Sequence, residues 1–223
     1  GNSGGIGYMG KNPASVFYDN VMMDTQLLHE AKNENVEKFI GLGTVCSYPK
    51  FASIPFSEEE IWDGFPDESN APYGISKKIM LTQSDAYRQQ FGFNSITVIP
   101  TNIYGPGDNF HIETSGVIPG IISKIFNAIE KNSDEIVLWG DGNATRDFLF
   151  VDDASDGIIL AAEKYDNASP INLGAEYEIS IKDLATMISK IMKFSGEIKW
   201  DNSKSNGQPR RCVSNKKAEK EIG

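Results

Sequence analysis

Apolar residues recur along this chain at two alternating periods. Phe17, Val21, Leu28 and Ala31 fall on one stripe of a helical wheel, with Asp19, Asp24, Gln26, Glu30 and Lys32 largely outside it. That pattern predicts an amphipathic helix from 12 to about 32. Asn12 is placed to cap it and Pro13 to occupy its first turn, where a missing N–H costs nothing. Residues 36–42 then read as a short strand. A second helix starts at Pro72, after the acidic loop Asp67-Glu68-Ser69-Asn70, and stops at Gly92. Residues 95–99 form the next predicted strand, 117–129 an apolar helix and 135–139 another strand. A strand over 148–151 leads to Asp152-Asp153, a predicted N-cap for a helix to about 164. The pattern closes with a strand at 171–173 and a helix capped by Ser180, with Ile181, Leu184, Ile188 and Ile191 facing inward.

Helix, short turn, strand, repeated, is the alternation of an α/β protein with a parallel sheet. In such sheets ligands bind beyond the carboxyl ends of the strands, and polar residues gather there: Thr44 and Cys46 after the first strand, Thr101 and Asn102 after the second. Cys46 is read either as a reactive thiol or as a small buried hydrophobe. The opening segment holds Gly4, Gly7 and Gly10 at dinucleotide-fingerprint spacing, but no strand precedes them and no helix is predicted before Asn12. A glycine-rich loop at the active site is the better reading. Residues 49–72, rich in Pro, Ser and acids, are expected as a long rim loop.

Composition narrows the function classes. The 223 residues carry a formal net charge of −10, which argues against a nucleic-acid or anionic-membrane partner. Two cysteines and two histidines are too few for a disulfide framework or a histidine zinc site, so no metal is expected. No apolar run approaches the length of a membrane span and no signal peptide is seen, so a reducing cytoplasm is the expected setting. His29, inside the first helix, reads as a packing or surface residue.

The stretch Ala71-Pro72-Tyr73-Gly74-Ile75-Ser76-Lys77 carries the chemistry. Tyr73 and Lys77 stand four residues apart, so both leave the helix on one face. A cation beside a phenol favours the phenolate, and the expectation is a Tyr73 pKa lowered from about 10 towards neutrality. Such a group suits proton transfer to and from carbonyl and alcohol oxygens.

Further motifs follow in order: Gly43-Thr44-Val45-Cys46, Tyr73-x-x-x-Lys77, Pro100-Thr101-Asn102-Ile103-Tyr104-Gly105-Pro106, Trp139-Gly140-x-Gly142, Arg146-Asp147-Phe148 and Pro209-Arg210-Arg211. Together they resemble the extended short-chain dehydrogenase/reductases, the NAD-dependent epimerase/dehydratase family acting on nucleotide sugars. Residues 43–50 and 100–111 resemble its GDP-L-fucose synthase branch most. The resemblance covers nearly the whole chain. It implies a Rossmann-type doubly wound parallel sheet, here incomplete, with a smaller α+β substrate lobe. Residues 1–115, completed by 147–174, would form the Rossmann-type part, lacking its first βα units. Residues 116–146 and 175–223 would form the lobe.

The activity implied is an NAD(P)-dependent 4-reductase, or a 3,5-epimerase/4-reductase, on a GDP-4-keto-6-deoxy sugar. A nucleotide-sugar 4-epimerase or dehydratase and a non-catalytic remnant are the alternatives. By the resemblance, Tyr73 donates the proton, Lys77 tunes it and holds the nicotinamide ribose, Thr44 is the triad hydroxyl and Cys46 the epimerisation base. Leu42, Gly43, Thr44, Val45, Lys77, Pro100, Thr101, Asn102 and Ile103 would line NADP or NAD. Asn102, Lys124, Trp139, Arg146 and Arg211 would meet the substrate, with Lys124 and Arg211 exchanging the cation type expected there. A homodimer is implied.

Two departures stand out. The family begins with βα units that this chain lacks, about 60 residues at roughly 30 per unit. The chain also stops in a helix-to-loop transition, so it is expected to be a fragment of a longer protein and inactive by itself. The second departure is Gly116, which precedes Val117-Ile118-Pro119 where the branch carries the histidine acid of epimerisation.

Overall fold

The computed structural model describes residues 2–223. In chain order it builds helices α1 (Ile6–Lys11) and α2 (Pro13–Asn33), strand β1 (Phe39–Leu42), 3-10 turns at Val45–Ser47 and Glu58–Trp62, and helix α3 (Ala71–Phe91). Strands β2 (Ser95–Pro100) and β3 (Asn102–Tyr104), helix α4 (Val117–Glu130), strands β4 (Glu135–Trp139) and β5 (Thr145–Phe150) and helix α5 (Val151–Lys164) follow. The chain continues through β6 (Ile171–Leu173), β7 (Glu178–Ser180), α6 (Ile181–Ile191), β8 (Glu197–Asp201), β9 (Arg210–Arg211) and α7 (Lys216–Glu221).

The central sheet runs β1-β2-β6, all parallel, with Phe39 opposite Ser95 and Val98 opposite Ile171. Every residue of β2 is buried, as a middle strand with helices α3 and α5 packed against it must be. Ile96, Val98, Ile171 and Leu173 meet Ala154, Ala161 and Tyr165 of the α5 side in one core. Val45, Tyr48, Phe56, Ile61, Leu81, Ile99 and Val213 make a second, under the loop after β1. A third joins α4, β4, α6 and β8 through Ile121, Ile125, Ile136, Leu138, Leu184 and Ile188. Strand β5 pairs with β3 and β9 in parallel and with β7 antiparallel, so it stands between the two parts of the chain.

Several local expectations are corrected. Residues 6–11 are helical, not loop: the Gly5 carbonyl accepts from the Tyr8 and Met9 amides, and the Gly5 amide is anchored on the Thr114 carbonyl. The buried face of α2 is Val16, Asn20, Asp24 and Leu28, while Phe17 is 36% exposed. Polar partners on neighbouring segments overrule the apolar stripe there. Asp152 and Asp153 lie in the first turn of α5, whose N-cap is Phe150, so they act on the helix dipole and not as caps. Ser180 does cap α6, accepting from the Asp183 amide at 3.0 Å, but Ile191, at its end, points to solvent. Arg210 and Arg211, expected in a loop, pair with β5 as a strand.

Candidate active site

The ends of β1, β2 and β6 lie side by side, because the Gly43 amide bonds the Val98 carbonyl and the Thr101 amide the Leu173 carbonyl, both at 2.8 Å. Beyond β1 the chain turns at once. Thr44, buried, accepts the Cys46 amide at 3.3 Å and so caps the 45–47 turn. Ser47 donates to the Gly74 carbonyl at 3.0 Å, which clips that turn to the first turn of α3. Pro72 at the start of α3 and Gly92 at its end, in the left-handed conformation at φ 63°, fix the helix that carries Tyr73 and Lys77.

Tyr73 is half-buried and close enough to the Thr44 hydroxyl for that group to favour its ionisation, which brings two of the expected triad members together. Its acidity is the opposite of the expectation. Burial pushes the phenol up to about 12, helped by the negative charge that Cys46 and Asp24 can carry, and the hydroxyls of Thr44 and Ser3 only partly offset this. Burial dominates, and Lys77 is engaged elsewhere. Its ammonium is buried and bonded at 2.8 Å to the equally buried Asp24 carboxylate of α2, so its charge is largely compensated there.

Cys46 is half-buried, and its Sγ accepts from Arg211 Nη1 at 3.5 Å. Arg211 is buried and its Nε donates to Gln208 Oε1. Arg146 stands nearby on β5, bonded to the Thr145 and Asn206 carbonyls. Burial and the charge of Arg211 push the Arg146 guanidinium down to about 10. Neither arginine forms an ion pair among the described residues. Two buried guanidiniums set side by side across β5 and β9, neither in an ion pair, are suited to holding an anion.

Trp139 is 48% exposed, with the ammoniums of Lys124 and Lys204 each 5.9 Å from its ring centre. Lys124 also donates to the Val137 carbonyl at 2.7 Å, and burial lowers its pKa. Asn102 binds the Asp147 carbonyl at 2.8 Å, while Leu42 and Ile103 leave apolar side chains 43% and 40% exposed at the strand ends. Val45 belongs to the core below, and Pro100 and Thr101 are buried in and just after β2.

The opening segment was missed as a positioning element. Ser3 reaches Tyr73, and the Asn20 side-chain amide of α2 holds the Asn2 carbonyl at 2.7 Å. A Cβ on Gly5 would stand 2.5 Å from the Ser115 carbonyl, and one on Gly7 2.9 Å from the Trp139 ring. These glycines serve close approach between parts of the site. At Gly116 an added Cβ would meet only Pro119, at 3.9 Å.

Residues 1–174 match the NAD dependent epimerase/dehydratase family. The chain belongs to that family. It is 37% identical over 215 residues to a probable GDP-L-fucose synthase 1 of Oryza sativa, covering 96% of this chain and 66% of that protein. Among solved structures it superposes on a GDP-L-fucose synthetase from Naegleria fowleri bound to NADP, with TM-score 0.87, 31% identity, and coverage of 92% of this chain and 66% of that one. A GDP-mannoheptose C4 reductase from Campylobacter jejuni with NADP bound gives TM-score 0.82 at 26% identity, covering 94% and 69%. The chain thus spans just under two thirds of the length of the synthases it matches. Its mixed parallel α/β architecture is the one the resemblance implied.

Proposed function

We propose that the protein is an NADP-dependent 4-reductase of a GDP-bound 4-keto sugar. The observation that carries this reading is the gathering of Tyr73 and Thr44 near Cys46, whose Sγ accepts from Arg211, itself paired across β5 and β9 with Arg146. The names of the synthases and reductases it resembles support the substrate class.

The residues present fit the nicotinamide end of the cofactor. Lys77 keeps two N–H groups after its bond to Asp24, and Leu42 and Ile103 offer uncovered apolar surface at the strand ends. Among the described residues, Gly4, Gly7 and Gly10 follow no strand and build no pyrophosphate turn. When bound, NADPH supplies the hydride for C4. Tyr73 delivers the proton to the C4 oxygen. Its raised pKa keeps it protonated at neutral pH, as a donor must be. The Thr44 hydroxyl holds the phenol in line, and the Lys77 ammonium stabilises the phenolate left behind. Arg146 and Arg211 would hold the substrate diphosphate bidentately, and Trp139, with Lys124 beside it, would hold the nucleotide end, with Asn102 towards the sugar.

Residues 1–115 with 147–174 would then form the cofactor part, and 116–146 with 175–223 the substrate lobe. The solvent side of α2 leaves Tyr18 and Met22, one turn apart, uncovered, which supports a homodimer through that helix. Two free thiols, Cys46 and Cys212, accord with a reducing cytoplasm. No helix among the described residues is long and apolar enough to cross a membrane.

Gly116 favours reduction without epimerisation. Inverting C3 or C5 needs a base on one face and an acid on the other, and beside Cys46 the glycine supplies no acid. The test of the main reading is NADPH oxidation by the complete protein with a GDP-4-keto-6-deoxy sugar. Tyr73→Phe should lower kcat by about 10² or more, with KM little changed. Near-normal turnover of Tyr73→Phe would refute the assignment.

A further inference from the structure

Helix α2 presents a buried polar stripe that the apolar pattern did not foretell. Asn20 and Asp24 stand one turn apart, 0% and 5% exposed, in a helix packed along α3. Each meets a different part of the proton-transfer site. Asp24 Oδ2 accepts from Lys77 Nζ at 2.8 Å. Asn20 Nδ2 holds the carbonyl of Asn2, and the adjoining Ser3 lies near enough to Tyr73 to act on its phenol. Burying a carboxylate is costly unless it is paired, so Asp24 is kept inside only by its lysine.

We propose that Asp24 is a positioning residue of the active site: its carboxylate fixes the Lys77 ammonium within the α2–α3 seam and sets how much of that charge Tyr73 feels. The inference rests on the reductase reading for its kinetic consequence but not for its electrostatic one. A lysine on a flexible stem can place its charge anywhere within reach. A buried acceptor across the seam leaves it one location, with two N–H groups free for the ribose side. The groups acting on Tyr73 are Asp24 from α2, Cys46 from the turn after β1 and the hydroxyls of Thr44 and Ser3, while Lys77 stands one turn on along its own helix, bonded to Asp24. Arg211 and Arg146 lie behind Cys46.

The experiment compares wild type, Asp24→Asn, Asp24→Glu, Lys77→Met and the double variant Asp24→Asn/Lys77→Met, all in the complete protein. The first readout needs no turnover. With 13C-labelled tyrosine, and the Tyr73 signal assigned by its loss in Tyr73→Phe, the Tyr73 titration midpoint should fall in Asp24→Asn by about one pH unit or more. The carboxylate that opposes ionisation is gone and the ammonium acts without compensation. An unmoved or raised midpoint overturns the proposal.

The second readout is turnover. Asp24→Asn should lower kcat about tenfold or more, and Asp24→Glu should restore part of it. The double variant carries no unpaired buried charge and serves as the folding control. There the further loss beyond Lys77→Met alone should stay within about twofold, since Asp24 acts through Lys77. Additive losses overturn the proposal. If wild type itself fails to oxidise NADPH, the functional reading falls, while the tyrosine titration still decides the role of Asp24.

Discussion

Tyr48→Phe isolates one buried hydrogen bond. Tyr48 is 2% exposed, and its hydroxyl donates at 2.7 Å to Oδ1 of Asn172, which is fully buried. The same asparagine donates through Nδ2 to the Phe56 carbonyl at 3.1 Å and the Ser214 carbonyl at 3.4 Å, and its amide donates to Glu58 Oε1 at 2.8 Å. The Tyr48 ring stacks on Phe56 with centres 4.9 Å apart. Phenylalanine keeps that stack and the volume, so packing stays constant and only the hydroxyl is removed. What remains is a buried amide oxygen without its donor, worth about 1–3 kcal/mol. At about 2–4 °C per kcal/mol for a chain of this size, Tm should fall by about 4–8 °C for a loss near 2 kcal/mol. The assay is thermal unfolding together with urea unfolding, in which the midpoint should drop at constant m-value. A Tm within about 1 °C of wild type would show that Asn172 finds another donor and that the network is not what ties residues 45–50 to β6.

The other outcomes are quickly stated. In D₂O with a GDP-4-keto-6-deoxy sugar and no NADPH, wild type should exchange the C3 and C5 protons slowly. Gly116→His, for which the structure leaves room, should raise exchange more than reduction, and rapid uptake by wild type would sink the reduction-only reading. Stability should decline above about pH 10: Tyr48, Tyr73 and Tyr165 all have phenols raised by burial. Below that pH they are neutral in both states. Above it the unfolded chain gives up protons that the folded chain retains, so each costs about 1.4 kcal/mol per pH unit. Tyr165→Phe should flatten the decline in urea midpoint, and an unchanged slope would remove Tyr165 from the account.

Much of the frame was legible because its signals are local. Pro13, Pro72, Gly92 and Ser180 mark helix ends within a residue or two, and β1, β2, β4 and β6 are short apolar runs bounded by turns. Thr44, Cys46 and Thr101 fall beyond the carboxyl ends of β1 and β2, where a parallel sheet puts its ligands, while Tyr73 and Lys77 come from α3. What stayed hidden depends on partners far along the chain. Asp24 looked like a solvent residue of α2 until Lys77, 53 residues on, stood across from it. The acidity of Tyr73 was misjudged because spacing shows a lysine near a tyrosine but neither the burial that raises the phenol nor the carboxylate that claims the lysine. Residues 6–11 are helical through the tertiary anchor at Thr114, which no propensity encodes. Strand β9 exists only because β5 is there to pair with it.

The open position at residue 116 has a bearing on how such enzymes diverge. Its backbone caps α4 in an extended conformation available to any residue, at φ −67° and ψ −175°, and the space beside it is empty but for a proline ring. A side chain can be gained or lost there with little change in folding stability, because nothing in the core registers it. The residues proposed to move the proton at C4 sit elsewhere, on α3 and just after β1. On the proposed reading, stereochemical inversion would therefore be gained or lost by a single step at position 116 that leaves folding and the reductive residues untouched.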